Sequence, residues 1–208
     1  RKDIRMAATG SASPIIEDAS TDSGPGRWTG SKIPTLSFYE YCQLLQLDDM
    51  PLLPDHLKVT DIPKMENAEV ADLMARFEPL VKHFNRYLTI GGFPELALSD
   101  DDLYAQRMLR EDVVDKVIKR DVLTLFKVRS PLLMEKLFLY LCMNSTEIFS
   151  ATTAAKELDN ISPNTIESYV DALVKSNLIY MAYPIAVGSK SVLKGRPKIY
   201  IADAAIRN

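Results

Sequence analysis

Long apolar runs are missing from this sequence of 208 residues, and their absence excludes several classes of protein. The longest run, Leu137–Met143, has seven residues, whereas a membrane-spanning helix needs roughly 20. No positively charged start leads into an apolar stretch, so these residues contain no signal-peptide pattern. We therefore expect no membrane partner and a cytoplasmic protein.

Cysteine and histidine are scarce, with two of each. Cys42 and Cys142 lie in apolar, helix-like surroundings, which favours buried thiols in a reducing compartment over a disulfide. His56 and His83 have no cysteine or carboxylate at the spacing of a metal site. The sequence therefore predicts no metal centre.

Positive and negative charges are nearly balanced in this sequence. The 25 Lys and Arg residues against 28 Asp and Glu residues give a net charge of −3, and apolar residues make up 47% of the sequence. This balance excludes a disordered chain and a strongly basic coat for nucleic acid. The length suggests one large domain or two small ones.

Motifs of self-sufficient active sites are also missing. The glycine-rich residues 24–32 have Ser and Lys in the wrong order for the phosphate-binding G-x-x-x-x-G-K-[ST] loop. No G-x-S-x-G, H-E-x-x-H or paired C-x-x-C pattern occurs. The sequence begins with Arg1 and reads from there like the middle of a domain, so we expect part of a longer protein.

Helical periodicity dominates what is present, so the expected fold class is mainly α. A short helix is predicted to follow Ser37, which is a suitable N-cap. Apolar residues recur at spacings of three and four within 66–86, where Pro79 is expected to interrupt the helix. A long helix is predicted over about 102–128.

The clearest pattern lies in residues 130–208. The predicted order is helix, short extended stretch, helix, turn, helix, strand, loop and strand, which is the order of a winged helix-turn-helix. The predicted helices span 132–144 and 152–158 and a third begins at Pro163, the extended stretch covers 147–150, and the strands cover 178–185 and 198–201.

The third of these helices is the candidate recognition helix, and its expected outward face is poor in cations. The outward residues are Asn164, Thr165, Glu167, Ser168, Asp171, Ala172 and Lys175. Only Asn164 and Thr165 are suited to contact base edges.

The loop between the two strands differs in charge from that helix. Lys190, Lys194, Arg196 and Lys198 occur there without an acid between residues 187 and 199. Four cations can neutralise about four phosphates, but a solvated hairpin also carries lysines for solubility alone. DNA contact and protein docking therefore both remain open as roles of this region.

Several strings in this order resemble a large group of prokaryotic AAA+ ATPases. They are MAATGSAS at 6–13, GRW at 26–28, PTLSFYEY at 34–41, YLTIGGFPE at 87–95, KRDV at 119–122 and KIYIAD at 198–203. The resemblance runs over nearly the whole chain.

The resemblance implies a specific organisation. Residues 1–40 correspond to the end of the AAA+ core with its sensor-1 strand and following loop, 41–99 to helical lid, 100–129 to a connecting helix and 130–208 to the winged helix. The Walker motifs then lie upstream and a nuclease-like domain downstream. The intact protein is expected to use ATP and Mg²⁺ to remodel or regulate a nucleic-acid or protein partner, alone or as a homo-oligomer, whereas this chain holds no complete site.

The resemblance also implies roles for single residues. Thr9 and Ser11 match the polar turn that senses the γ-phosphate in this family. Arg27 matches the family's Gly-Arg pair, which supplies an arginine finger or a structural anchor. An ion pair between Arg27 and a nearby acid is an equally good interpretation.

The segment Gly91, Gly92, Phe93, Pro94 and Glu95 allows two interpretations. It is either an interdomain joint with Phe93 as its packing anchor or, more plainly, a turn that connects two helices.

Overall fold

A computed structural model describes residues 7, 9, 31–47, 50–51, 57–123, 126, 128–185 and 195–207. They fall into two compact units, one of residues 34–109 and the other of residues 110–207 together with the described residues before Pro34. We call residues 34–109 the helical unit and residues 110–207 the C-terminal unit. The chain is mainly helical, which confirms the predicted class. The predicted domain boundaries at 40, 99 and 129 stay predictions.

The helical unit consists of short α-helices and 3₁₀ segments. Its elements are α1 (Phe38–Leu44), a 3₁₀ helix (Val59–Lys64), α2 (Asn67–Phe77), a 3₁₀ turn (Glu78–Leu80), α3 (Val81–Ile90), α4 (Pro94–Ala97) and α5 (Asp102–Met108).

Local sequence signals explain where these helices begin and end. Ser37 caps α1 as predicted, because its Oγ accepts a hydrogen bond from the Glu40 amide at 3.3 Å. The Glu40 carboxylate in turn accepts from the Ser37 amide at 2.8 Å, which completes a capping box. The turn Glu78–Leu80 interrupts the helical pattern around Pro79, also as predicted.

Arg86 on α3 ties together four parts of the helical unit. Its Nε donates to Asp102 Oδ1 at 2.8 Å, and its Nη1 donates to the hydroxyl of buried Tyr41 at 2.8 Å. The same guanidinium donates to the backbone carbonyls of Ala97 and Ser99. Because these partners lie on α1, at the end of α4 and on α5, one side chain sets the spacing of the surrounding helices.

The turn after α3 needs glycine for two separate reasons. Gly91 has φ 82° and ψ −177°, a conformation that residues with a Cβ essentially do not adopt. Gly92 packs directly on the backbone of Leu36, where an added Cβ would lie 2.2 Å from the carbonyl oxygen. The Leu36 amide donates to the Gly92 carbonyl at 2.7 Å, so the strand-like segment before α1 is held against this turn.

The C-terminal unit contains longer helices and a small sheet. Its elements are two π-helical stretches (Leu109–Asp115, which begins at the unit boundary, and Val117–Val122), α6 (Pro131–Met143), α7 (Ala151–Glu157), α8 (Pro163–Lys175), β1 (Ile179–Ala182), β2 (Lys198–Ile201) and a 3₁₀ turn (Ala204–Arg207). The region predicted as one helix over 102–128 thus consists of α5 and the two π-helical stretches as far as Val122.

The sheet is antiparallel, with Tyr180 opposite Tyr200 and Ala182 opposite Lys198. The other edge of β2 meets the predicted extended stretch through an isolated bridge between Ile148 and Lys198. The Phe149 amide donates to the Pro197 carbonyl at 2.8 Å on the same edge. β2 therefore lies between two neighbours.

One apolar core fills the space among α6, α7, α8 and the sheet. Its largest fully buried side chains include Met134, Leu137, Leu141, Ile166, Leu173, Ile179 and Ile199. Truncating a residue of this kind to alanine lowers the free energy of unfolding by about 2–5 kcal/mol, so this core stabilises the unit.

Both cysteines are free and buried, as predicted. Burial raises the pKa of the Cys142 thiol to about 11 and also raises the pKa of Cys42. Since the thiolate is the reactive form, both side chains are packing residues.

We expect Gly92→Ala to destabilise the helical unit by about 1–3 kcal/mol, because the new methyl group meets backbone that must shift. Urea denaturation followed by circular dichroism measures this change. Glu95→Ala, an exposed change in the same segment, serves as the control and should shift stability by less than about 0.5 kcal/mol. Equal midpoints for the two variants would contradict the close packing of Gly92 on Leu36.

Candidate functional site

A groove of about 770 Å³ opens on the C-terminal unit beside α8. It lies between the start of α7, one face of α8 and the ends of the strands. Its lining comprises Phe149, Ser150, Ala151, Thr152, Glu167, Val170, Asp171, Val174, Tyr180, Met181, Tyr183, Gly195, Arg196 and Pro197. It is the larger of the two cavities that stand out in the described part of the chain.

The amphipathic pattern of α8 decides which of its residues reach the groove. Ser162 is the N-cap residue and Pro163 is in the first turn, although the Ser162 side chain makes no capping bond. Ile166, Tyr169 and Leu173 are buried as predicted. Because these residues face the core, the polar side of the helix faces the groove and solvent.

The prediction that Ala172 lies on the outward face of α8 is wrong. This residue is only 1% exposed, although the pattern placed it outside. The helix packs against α6, α7 and β1, so the buried arc is wider than the predicted apolar stripe. The exposed surface of α8 is correspondingly narrower and consists mainly of polar and acidic residues.

Two carboxylates form the α8 wall of the groove. Glu167 and Asp171 are exposed and lie one helical turn apart. Asp171 forms an ion pair with Lys175 at 2.8 Å. Within the described residues, Glu167 has no ion pair. The wall therefore presents one uncompensated negative charge and one that is shared with a lysine.

The opposite wall comes from the hairpin and carries aromatic and basic groups. Tyr183 follows β1 and is 57% exposed. Arg196 precedes β2 and is exposed. No described residue forms an ion pair with Arg196.

The floor between these walls is apolar. Phe149, Val174 and Met181 are half-buried side chains that pack on the main core from the groove side. The hydroxyl of Ser150 at the groove edge accepts from the Thr153 amide at 3.4 Å and so caps α7. An apolar floor between acidic and basic walls offers a ligand both apolar contact and charged partners.

The structure brings only part of the predicted nucleic-acid residues together. Arg196 lines the groove and Lys198 is exposed on β2. Asn164 is exposed and Thr165 is half-buried in the first turn of α8, outside the groove lining. Two further candidates lie outside the described residues, namely Lys190 and Lys194.

The predicted nucleotide-sensing residues are described only in part. Thr9 is exposed and lies outside regular secondary structure. Ser11 and Arg27 lie outside the described residues. Their roles stay predictions.

The segment Gly91–Glu95 lies within the helical unit, where it connects α3 to α4. Gly91 and Gly92 are buried, Phe93 is half-buried, and Pro94 and Glu95 are exposed. This is the placement of a turn that connects two helices.

Sequence reasoning missed the tyrosines of the hairpin. Tyr180, Tyr183 and Tyr200 are all exposed, yet the sequence pattern drew attention only to the basic residues of the loop. Alternation along each strand places Tyr180 and Tyr200 on its outward side. That alternation was the signal available in the sequence.

Within the described residues, no group of three or more His, Cys, Asp or Glu side chains is arranged to hold a metal ion. In the same part of the chain, every helix is too short or too polar to cross a membrane.

Residues 81–208 match a family model described as a domain of unknown function, DUF8612. An uncharacterized protein of Haemophilus influenzae is 23% identical over 206 residues, covering 97% of this chain and 44% of that protein. An uncharacterized protein of Methanocaldococcus jannaschii is 24% identical over 201 residues, covering 94% and 40%. The chain thus spans less than half the length of these curated relatives. No solved structure matches the chain.

Proposed function

We propose that this chain, which belongs to the DUF8612 family, is part of a longer AAA+ ATPase. In this proposal residues 130–207 form a winged helix-turn-helix that docks a protein partner in the groove beside α8. ATP turnover by the intact protein then remodels or regulates that partner.

The ATPase part of the proposal is supported by the resemblance of residues 6–13, 26–28 and 87–95 to AAA+ proteins. The relatives each extend well beyond the region they share with this chain, which supports only the proposal that the chain is part of a longer protein. ATP and Mg²⁺ would be bound by residues outside this sequence. The buried free thiols support a location in the reducing cytoplasm.

The winged-helix part is supported by the order and packing of the elements. α7 and α8 pack together and are followed by the antiparallel pair β1 and β2. In such modules α8 occupies the place of the recognition helix.

A single observation favours protein over DNA as the ligand of α8. Where a DNA reader presents Arg, Lys, Asn or Gln to base edges, the groove side of α8 presents Glu167 and Asp171. Carboxylates there repel phosphate, and the apolar floor offers nothing to it. A peptide with an apolar side chain beside Lys or Arg can pack on the apolar floor and pair with these carboxylates.

To test the docking, peptides selected from a random display library on the immobilised chain are measured by calorimetry. We expect enriched peptides to pair an apolar anchor with a basic residue. Glu167→Lys should weaken them about tenfold, since each exposed charge pair contributes roughly 0.2–1 kcal/mol and its sign is reversed.

Glu157→Lys on α7 is the matched control, because Glu157 is exposed and lies outside the groove lining. It should leave the affinity unchanged. If the selected peptides bind the Glu167→Lys and Glu157→Lys variants with equal affinity, the ligand binds outside the groove.

The ATPase proposal predicts that the longer protein hydrolyses ATP while this chain alone does not. As an arginine finger, Arg27 would contribute about 10³–10⁵ in rate, so Arg27→Ala should slow turnover severely without unfolding the protein. A coupled phosphate-release assay measures the rate. Arg129→Ala, at an exposed position, is the control, and equal rates for both variants would remove Arg27 from the mechanism.

Duplex DNA is the second candidate ligand, favoured by the exposure of Asn164, Arg196 and Lys198. If these residues contact a duplex, changing Arg196 and Lys198 to Gln together should reduce the salt slope of binding by about 1.8. Fluorescence anisotropy with a labelled duplex gives this slope. The same changes at Lys58 and Lys64 of the helical unit are the control, and no binding at low salt would eliminate this candidate.

A further inference from the structure

The outward face of the small sheet is an exposed surface that the docking proposal uses only in part, since Tyr180 and Arg196 line the groove and Tyr200 and Lys198 do not. Tyr180 on β1 and Tyr200 on β2 are register partners, so their side chains project from the same side of the sheet. They are 42% and 38% exposed. Partners of this kind have Cβ atoms roughly 4.5–5.5 Å apart.

The neighbouring outward positions are apolar or basic. Lys198 pairs with Ala182 on one side and bridges Ile148 on the other, and Ile148 is 64% exposed. Among the described residues of these strands, no acid occupies an outward position, because Glu147 has the opposite alternation. Arg196 lies two residues before Lys198 and adds a second exposed cation.

We propose that this sheet face, with Tyr180, Tyr200 and Lys198 at its centre, binds single-stranded nucleic acid. Two unpaired bases stack on the two tyrosine rings, and Lys198 with Arg196 contacts the adjoining phosphates.

The chemistry of the face distinguishes this ligand from the others. Adjacent aromatic residues on a sheet stack successive bases, which a duplex keeps hidden inside its own stack. The outward positions of the described strands carry no carboxylate, and Tyr200 and Lys198 lie outside the groove that Glu167 and Asp171 line, so phosphate beside Lys198 meets less repulsion than phosphate beside α8. A protein partner fits the face less well, since Lys198 would be buried at the centre of the contact without an acid supplied by the sheet.

The test uses the whole chain and labelled oligonucleotides of about 12 nucleotides, (dT)₁₂ and (U)₁₂, followed by fluorescence anisotropy. We expect both to bind more tightly than a duplex of the same length at about 50 mM salt. Tyr200→Leu should weaken binding about 5- to 100-fold through the loss of one stacked base. Tyr200→Phe, which keeps the ring, should bind like the native chain.

Lys198→Gln should reduce the salt slope by about 0.7, the value for one phosphate contact to a single strand. Tyr104→Leu is the matched control, since Tyr104 is 49% exposed but belongs to the helical unit. Thermal melting of each variant shows that the fold is retained.

Three results would overturn the inference. They are no binding of either oligonucleotide at low salt, equal affinity of the Tyr200→Leu and native chains, and preference for the duplex. Peptide binding in the groove should be insensitive to Tyr200→Leu, because Tyr200 lies outside the groove lining, so failure of one proposal is distinguishable from failure of the other.

Discussion

The burial of the apolar side of α8 is the constraint on which the C-terminal unit depends. Ile166 and Leu173 are completely buried, and α6, α7 and β1 all pack against this helix. Once that arc is buried, the rotation of α8 about its own axis is settled, because turning the helix would expose apolar side chains. The positions of Glu167 and Asp171 on the groove wall follow from this rotation.

The helical unit is held by polar contacts as well as by buried apolar and aromatic side chains. Arg86 joins Tyr41, Asp102 and two backbone carbonyls, whereas α2 contains no buried residue. The close approach of Gly92 to Leu36 works in the same direction, since it holds the entry to α1 against the end of α3. Directional bonds and backbone contact here add to the packing of the buried side chains.

The two proposed surfaces of the C-terminal unit share Tyr180 and Arg196 but differ in the charge of their other residues, and the different ligands proposed for them rest on that difference. The α8 wall carries carboxylates above an apolar floor, which suits a basic and apolar polypeptide. The outward sheet face carries tyrosines and Lys198, which suits unpaired bases and phosphate. Among the described residues, the basic candidates Arg196 and Lys198 lie beside or on β2 rather than on α8.

Local patterns in the sequence determined the helical class, the Ser37 cap, the interruption at Pro79 and the strand at 198–201, because each depends on residues within a few positions of one another. The burial of Ala172 could not be read in this way, since it results from three elements packing around one helix. The groove and the pairing of Tyr180 with Tyr200 were equally hidden, because they join residues that are distant in sequence. Periodicity states which side of an element is apolar, and only tertiary packing decides how much of that side is covered and what faces it.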